Sequence, residues 1–119
     1  MFSTNVNLNG VTRKVSIRFS RVEADETSCI IKIMNPGQNP KDIEDFCIGY
    51  AYRNSKDNFD KVKGQLLSMQ RALKMAGFYE TGNKDVKVAR IEIIKEYAQW
   101  ALKNNIRTKV PVSRILSDH

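Results

Sequence analysis

Between residues 11 and 20 apolar and polar positions alternate. Val11, Val15, Ile17 and Phe19 fall on one side and Lys14, Ser16, Arg18 and Ser20 on the other, which is the two-residue period of a half-buried strand with its basic side outward. Asn9-Gly10 separates this stretch from the preceding "VNL", and an Asn-Gly pair between alternating segments predicts a tight hairpin, because both turn residues must tolerate positive φ. "TSCIIKIM", residues 27–34, is rich in β-branched side chains and predicts a third strand, with "EADE" at 23–26 as the turn before it. "NPGQNPKD", residues 35–42, holds two prolines and a glycine and predicts an exposed loop. "DFCIGYAYR", residues 45–53, resumes strand alternation, with Phe46, Ile48, Tyr50 and Tyr52 on one side and Cys47, Gly49 and Ala51 on the other. The small side predicts close packing of a helix. The bulky side is expected in the core, with a contact surface as the alternative.

From about Asp57 the period becomes helical. Val62, Leu66, Met69, Leu73 and Ala76 recur at three and four residues, and Gly77 follows as a helix-ending glycine. "FYETGNK", residues 78–84, reads as a connector with a turn at Gly82-Asn83, and a second helix is expected from about Asp85 to Asn104-Asn105, with Val88, Ile91, Ile94, Ala98, Ala101 and Leu102 inward. The tail "IRTKVPVSRILSDH" is basic and reads as extended around Pro111. The sum is an α+β chain: a four-stranded, mainly antiparallel sheet made of N-terminal hairpins, followed by two C-terminal helices. The organisation expected is one domain over 1–119, with the sheet in 1–53, the helical pair in 57–105 and the basic tail in 106–119.

Twenty Lys and Arg against thirteen Asp and Glu give a net charge of +7, which draws polyanions or phosphorylated small molecules and disfavours cationic partners. With 41% hydrophobic residues the chain has the composition of a folded domain. Two cysteines, Cys29 and Cys47, lack any metal-binding spacing and read as buried thiols. The first ten residues carry neither a basic nor an apolar signal segment, and no apolar run is long enough to span a bilayer, so a cytoplasmic protein without membrane partners is expected.

Catalytic chemistry is not expected. The single histidine, His119, is the last residue shown, where chain ends fray and a general base is hard to hold in place. Neither GxxxxGK[ST] nor GxGxxG occurs, and no cofactor is implied. Gly64, isolated within the first helix, predicts close approach of a neighbour, with a strand or a second subunit ahead of a ligand. Asp57 and Asp60 suit the start of that helix as cap and first-turn acid, while Arg53, Lys56, Lys61 and Lys63 around the same helix start suit a docked phosphate, so capping alone and capping with an anion contact both stand.

The run "RNSKDNFDKVKGQLLSMQRAL", residues 53–73, resembles a pattern of small phage-encoded proteins of strand-then-helix build: an aromatic strand leading into Lys56, Asp57 and Phe59, then Gly64, then Arg71, Ala72 and Leu73. Where that pattern usually has Arg after the glycine, this chain has Gln65. Within the group, size and element order are most similar to the Thoeris anti-defence sponges. That resemblance implies a homo-oligomer in the host cell cytoplasm that sequesters a cyclic ADP-ribose-type or cyclic oligonucleotide signal without turnover. It points to Arg53 at the end of the last strand, Phe78 between the helices, and Arg107 with Arg114 in the tail, beside the basic Lys56 and Lys61. Phe78 also reads as the hydrophobic contact that closes a helix end.

Two other functions fit the charge. One is an anti-CRISPR-type inhibitor that occupies an acidic face of a defence protein or binds its nucleic acid. The other is a basic nucleic-acid-binding accessory protein, for which "KVSIRFSR", with Lys14, Arg18 and Arg21, supplies a basic stripe next to an aromatic.

Overall fold

The computed structural model describes residues 1–21, 25–52, 61–104 and 106. Its elements run β1 (Phe2–Leu8), β2 (Val11–Ser20), β3 (Glu26–Met34), β4 (Cys47–Tyr52), α1 (Lys61–Met75) and α2 (Lys84–Lys103). The strands form one sheet in the order β1-β2-β3-β4 with every neighbouring pair antiparallel, followed by the two helices, so the fold is α+β as the periodicities predict. Half of the "EADE" turn, residues 23 and 24, lies outside the described residues, as do Asp57 and the tail from 107 onward.

The hairpin between β1 and β2 turns at Asn9 and Gly10, whose φ values of 55° and 84° are the left-handed pair that a two-residue turn demands. Register then fixes which side chains share a sheet face. Phe2 stands opposite Ile17, Ile17 opposite Ile31, and Cys29 lies between Phe19 and Gly49. Val15, Ile17, Cys29 and Ile31 on this face are completely covered. Full burial of an aliphatic side chain contributes about 1.5–3 kcal/mol, so this face carries much of the stability.

Both helices pack on that face, α1 against β3 and β4 and α2 against β1. In α1 the buried residues Val62, Leu66, Met69 and Leu73 are the predicted stripe. The small side of β4 lies beneath α1. A β-carbon added at Gly49 would overlap the Ser68 carbonyl oxygen and the Ala72 nitrogen, so only glycine lets the helix backbone come this close. Gly64 faces the sheet as well, its absent β-carbon 3.0 Å from the Thr27 hydroxyl on β3; the close neighbour is a strand. Gly77, at φ 88°, ends α1 with Phe78 N–H donating to the Leu73 carbonyl at 2.9 Å, a six-to-one closure in which the residue after the glycine folds back onto the helix.

Four expectations are corrected. The bulky side of β4 is outside the core: Phe46 is 55% exposed and Tyr52 67%, because α1 takes the small side and nothing among the described residues takes the other. In α2 the buried face is Val86, Ala89, Ile93, Ile94, Tyr97, Ala98 and Ala101, whereas Val88 and Leu102 are well exposed. The helix is rotated so that Tyr97, not the flanking aliphatics, meets Phe2 of β1, with ring centroids 6.1 Å apart. Within the predicted loop, Pro40–Asp42 forms one 3-10 turn capped by Asn39. Cys47 is only half buried, since it sits at the sheet's edge strand, while Cys29 is in the core.

Among the described residues, the 35–42 segment covers one end of the opposite sheet face. It is tied to that face by Lys32, whose ammonium donates to the Pro40 carbonyl at 2.9 Å, and by Lys14 to the Gln38 carbonyl at 3.5 Å, while Arg13, on the helix-facing side of β2, donates to the Asn35 side chain. Met34 is buried there.

Candidate ligand-binding site

Four rings meet where the ends of β2 and α2 come together. Phe19 lies 5.6 Å from Tyr97 in an edge-on contact and 5.7 Å from Trp100, and Phe2 lies 5.5 Å from Trp100. Tyr97 and Trp100 are three residues apart in α2 and so share a helix face, which turns both toward the strands. Phe2 and Tyr97 are buried behind this cluster, while Phe19 and Trp100 are half-buried and open into a cavity of about 390 Å³.

The cavity is lined by the end of β2, the start of β3, the first turns of α1 and the last turn of α2. Phe19 and Trp100 supply its aromatic side, Arg21 and Lys61 supply cations, and Ser20, Thr27, Gln65 and Asn104 supply hydroxyls and amides. Gln65 is buried, and its amide oxygen accepts a 2.8 Å hydrogen bond from the Tyr97 hydroxyl. At the end of α2 the last carbonyls are already used: Trp100 accepts from the Asn104 side-chain amide at 2.7 Å and Ala101 from the Ile106 N–H at 3.0 Å. That capping reduces the negative end of the helix dipole beside the cavity. Among the described lining residues there is no carboxylate, imidazole or thiol. A planar ring, an Arg fork, a Lys point charge and amide donors can hold a phosphorylated aromatic ligand.

Of the residues singled out from the sequence, Lys61 lines this cavity and is exposed. Phe78 is only 2% exposed and belongs to the core, where the helix-closing contact puts it. It also lies at the other end of α1 from Lys61, and the fifteen residues of that helix span about 22 Å, so the two do not share a site within one chain. Arg53, Lys56, Arg107 and Arg114 lie outside the described residues. Beside Phe78, Tyr79 is half-buried under the Arg90 guanidinium, 4.5 Å from its ring centroid. Burial pushes the Tyr79 phenol above its ordinary range, with Arg90 and a hydrogen bond to Gln70 opposing the rise.

Arg21 was singled out only for a nucleic-acid stripe, next to Phe19, and the lining residues Gln65 and Trp100 were not placed in any site from the sequence. One signal was available: Trp100 is the only tryptophan, and it sits a turn beyond Tyr97 at the close of an amphipathic helix. Among the described residues, no group of three or more metal-ligating side chains converges, and no helix is long and apolar enough to cross a membrane. Comparison with family models, curated proteins and solved structures returned no match.

Proposed function

We infer that the protein binds a small phosphorylated nucleotide in the cavity between β2, β3 and the two helices and holds it without turnover. The observation that carries this reading is the meeting of Phe19 and Trp100 with Arg21 and Lys61 around one space of about 390 Å³. A volume of that order suits a ligand of nucleotide size, and the lining divides as such a ligand does, rings for a base and cations for phosphate. The reading extends to sequestration of a cyclic nucleotide signal by a homo-oligomer in the host cytoplasm, the role implied by the resemblance around Lys56, Gly64 and Arg71.

Trp100 makes the test direct, because the only tryptophan of the chain reports on the cavity. Titration with cyclic ADP-ribose and with cyclic dinucleotides is expected to change its fluorescence saturably, and chromatography of the released ligand is expected to return it unaltered. No saturable change with any member of such a panel sinks the assignment; a chemically altered ligand sinks the claim of no turnover. Native mass spectrometry of the same mixtures counts subunits and bound ligands.

A further inference from the structure

The bulky side of β4 leaves a second surface that the cavity does not use. Ile48, Tyr50 and Tyr52 form a column along this edge strand on the face away from the helices, and Phe46 immediately precedes the strand. The Tyr50 and Tyr52 rings are near-parallel, 20° apart with centroids at 6.4 Å, and both are exposed, as is Phe46. Across the sheet the register sets Ile48 beside Ile30 and Ile30 beside Arg18, so an exposed guanidinium shares the face two strands away. Ser28 and Ser20 fill the corresponding row from Tyr50. At the strand's edge Arg71 of α1 donates to the Tyr50 carbonyl.

We propose that this open sheet face binds single-stranded nucleic acid, with Tyr50 and Tyr52 stacking successive bases and Arg18 and Arg71 meeting the phosphates. Two near-parallel rings, one after the other along a strand, present successive faces to successive bases, and every base has a face to stack. The chain's charge of +7 supplies the attraction to a polyphosphate backbone. Acidic groups bound the site: Glu26 stands opposite Tyr52, and Glu44 and Asp45 precede Phe46, so the stretch of β4 free of acids is the short one that Tyr50 occupies between Arg18 and Arg71. Pairing of β4 with another strand is the less favoured occupancy, because Arg71 already takes the Tyr50 carbonyl in the middle of that edge.

The experiment is fluorescence anisotropy of labelled single-stranded DNA and RNA, each about a dozen nucleotides long, titrated with the whole chain at about 50 mM salt and again at higher salt. Saturable binding is expected, weakening as salt rises. Tyr52→Ala is expected to weaken it about 5- to 100-fold, the Tyr50→Ala/Tyr52→Ala pair further, and Arg18→Ala less. Thermal melting should show these surface variants folded. Lys61→Ala, in the cavity, serves as the control and should leave oligonucleotide affinity within about threefold of wild type, so this face and the nucleotide cavity stand or fall separately. The proposal is overturned if the wild type shows no saturable binding. It is equally overturned if the tyrosine variants bind as well as wild type, or if the wild type is a dimer that the tyrosine pair dissociates, which would give the face to a second copy.

Discussion

The Tyr97 hydroxyl and the Gln65 amide oxygen, thirty-two residues apart and both buried, meet at 2.8 Å. That bond ties the wall of the cavity to the aromatic cluster, since Gln65 lines the first and Tyr97 belongs to the second. Tyr97→Phe keeps the ring and removes the donor. The expected result in urea denaturation is a loss of about 1–3 kcal/mol from an amide oxygen left buried without this partner, with weaker nucleotide binding because the Gln65 amide is no longer held.

Lys61 is exposed, so its removal should act on ligand and not on fold. Lys61→Ala is expected to leave the urea midpoint within about 0.5 kcal/mol of wild type. Affinity for a phosphorylated ligand should fall about tenfold, with little change for the corresponding dephosphorylated nucleoside. Trp100 fluorescence measures both. Equal losses for the two ligands would take Lys61 away from the phosphate.

Gly49 and Gly64 both sit where α1 meets the sheet, yet they should respond differently to alanine. At Gly49 the obstacle is helix backbone, which cannot step aside, and Gly49→Ala is expected to cost at least about 2–3 kcal/mol. At Gly64 the obstacle is the Thr27 hydroxyl at 3.0 Å, which a χ1 change can relieve, while alanine gains roughly 0.5–1 kcal/mol of helix propensity. Gly64→Ala should therefore fall within about 1 kcal/mol of wild type by chemical denaturation.

Asn83 holds two pieces together. Its side-chain oxygen accepts from the Asp85 and Val86 N–H groups at 3.0 and 3.4 Å to start α2, and its side-chain amide donates to Asn9 in the first hairpin turn at 3.2 Å. Asp85 accepts from the Asn9 N–H at 2.9 Å in the same corner. Asn83→Ala should lower stability by about 0.5–2 kcal/mol, and hydrogen exchange should show the loss at both the start of α2 and the turn at Asn9.

The two thiols should separate by reactivity. Burial pushes Cys29 up to about 12, from an ordinary value of 9.0, while Cys47 is half-buried at the edge of the sheet. At pH 8 a thiol reagent should label Cys47 alone in the native protein and both in urea. Because the native Cys29 thiol keeps its proton to higher pH than the unfolded one, its contribution is intact below about pH 9 and is lost as pH rises toward 12. Melting temperature should fall across that window, less steeply in Cys29→Ala.

The local features of the fold were legible in the sequence because each is decided by a few neighbouring residues. Asn9-Gly10, the Val62–Leu66–Met69–Leu73 stripe and the glycine stop at Gly77 needed no knowledge of what lies across the sheet. Alternation in β4 separated a small side from a bulky one and gave the helix to the small side, where Gly49 meets α1. It could not say that the bulky side would stay outside the core, since that depends on what else the chain brings to that face. In α2 a count of aliphatics alone left Tyr97 and Trp100 out of the inward face, although the rings of β1 and β2 recruit both. The cavity was the least legible, because its lining comes from Met1, the 19–21 stretch, Thr27, the 61–65 turn and the end of α2, which only topology gathers.

The meander places β1 at one edge of the sheet, and the helix that covers it, α2, is the last element of the described chain. As the chain leaves the ribosome, β1 to β4 and α1 can assemble by nearest-neighbour steps while Phe2 and Val6 still lack their cover. The apolar strip on the earliest strand is thus the last to be shielded. A ribosome-stalled chain ending before residue 84 should bind a hydrophobic chaperone through that strip, and release it once α2 has emerged and closed over Phe2.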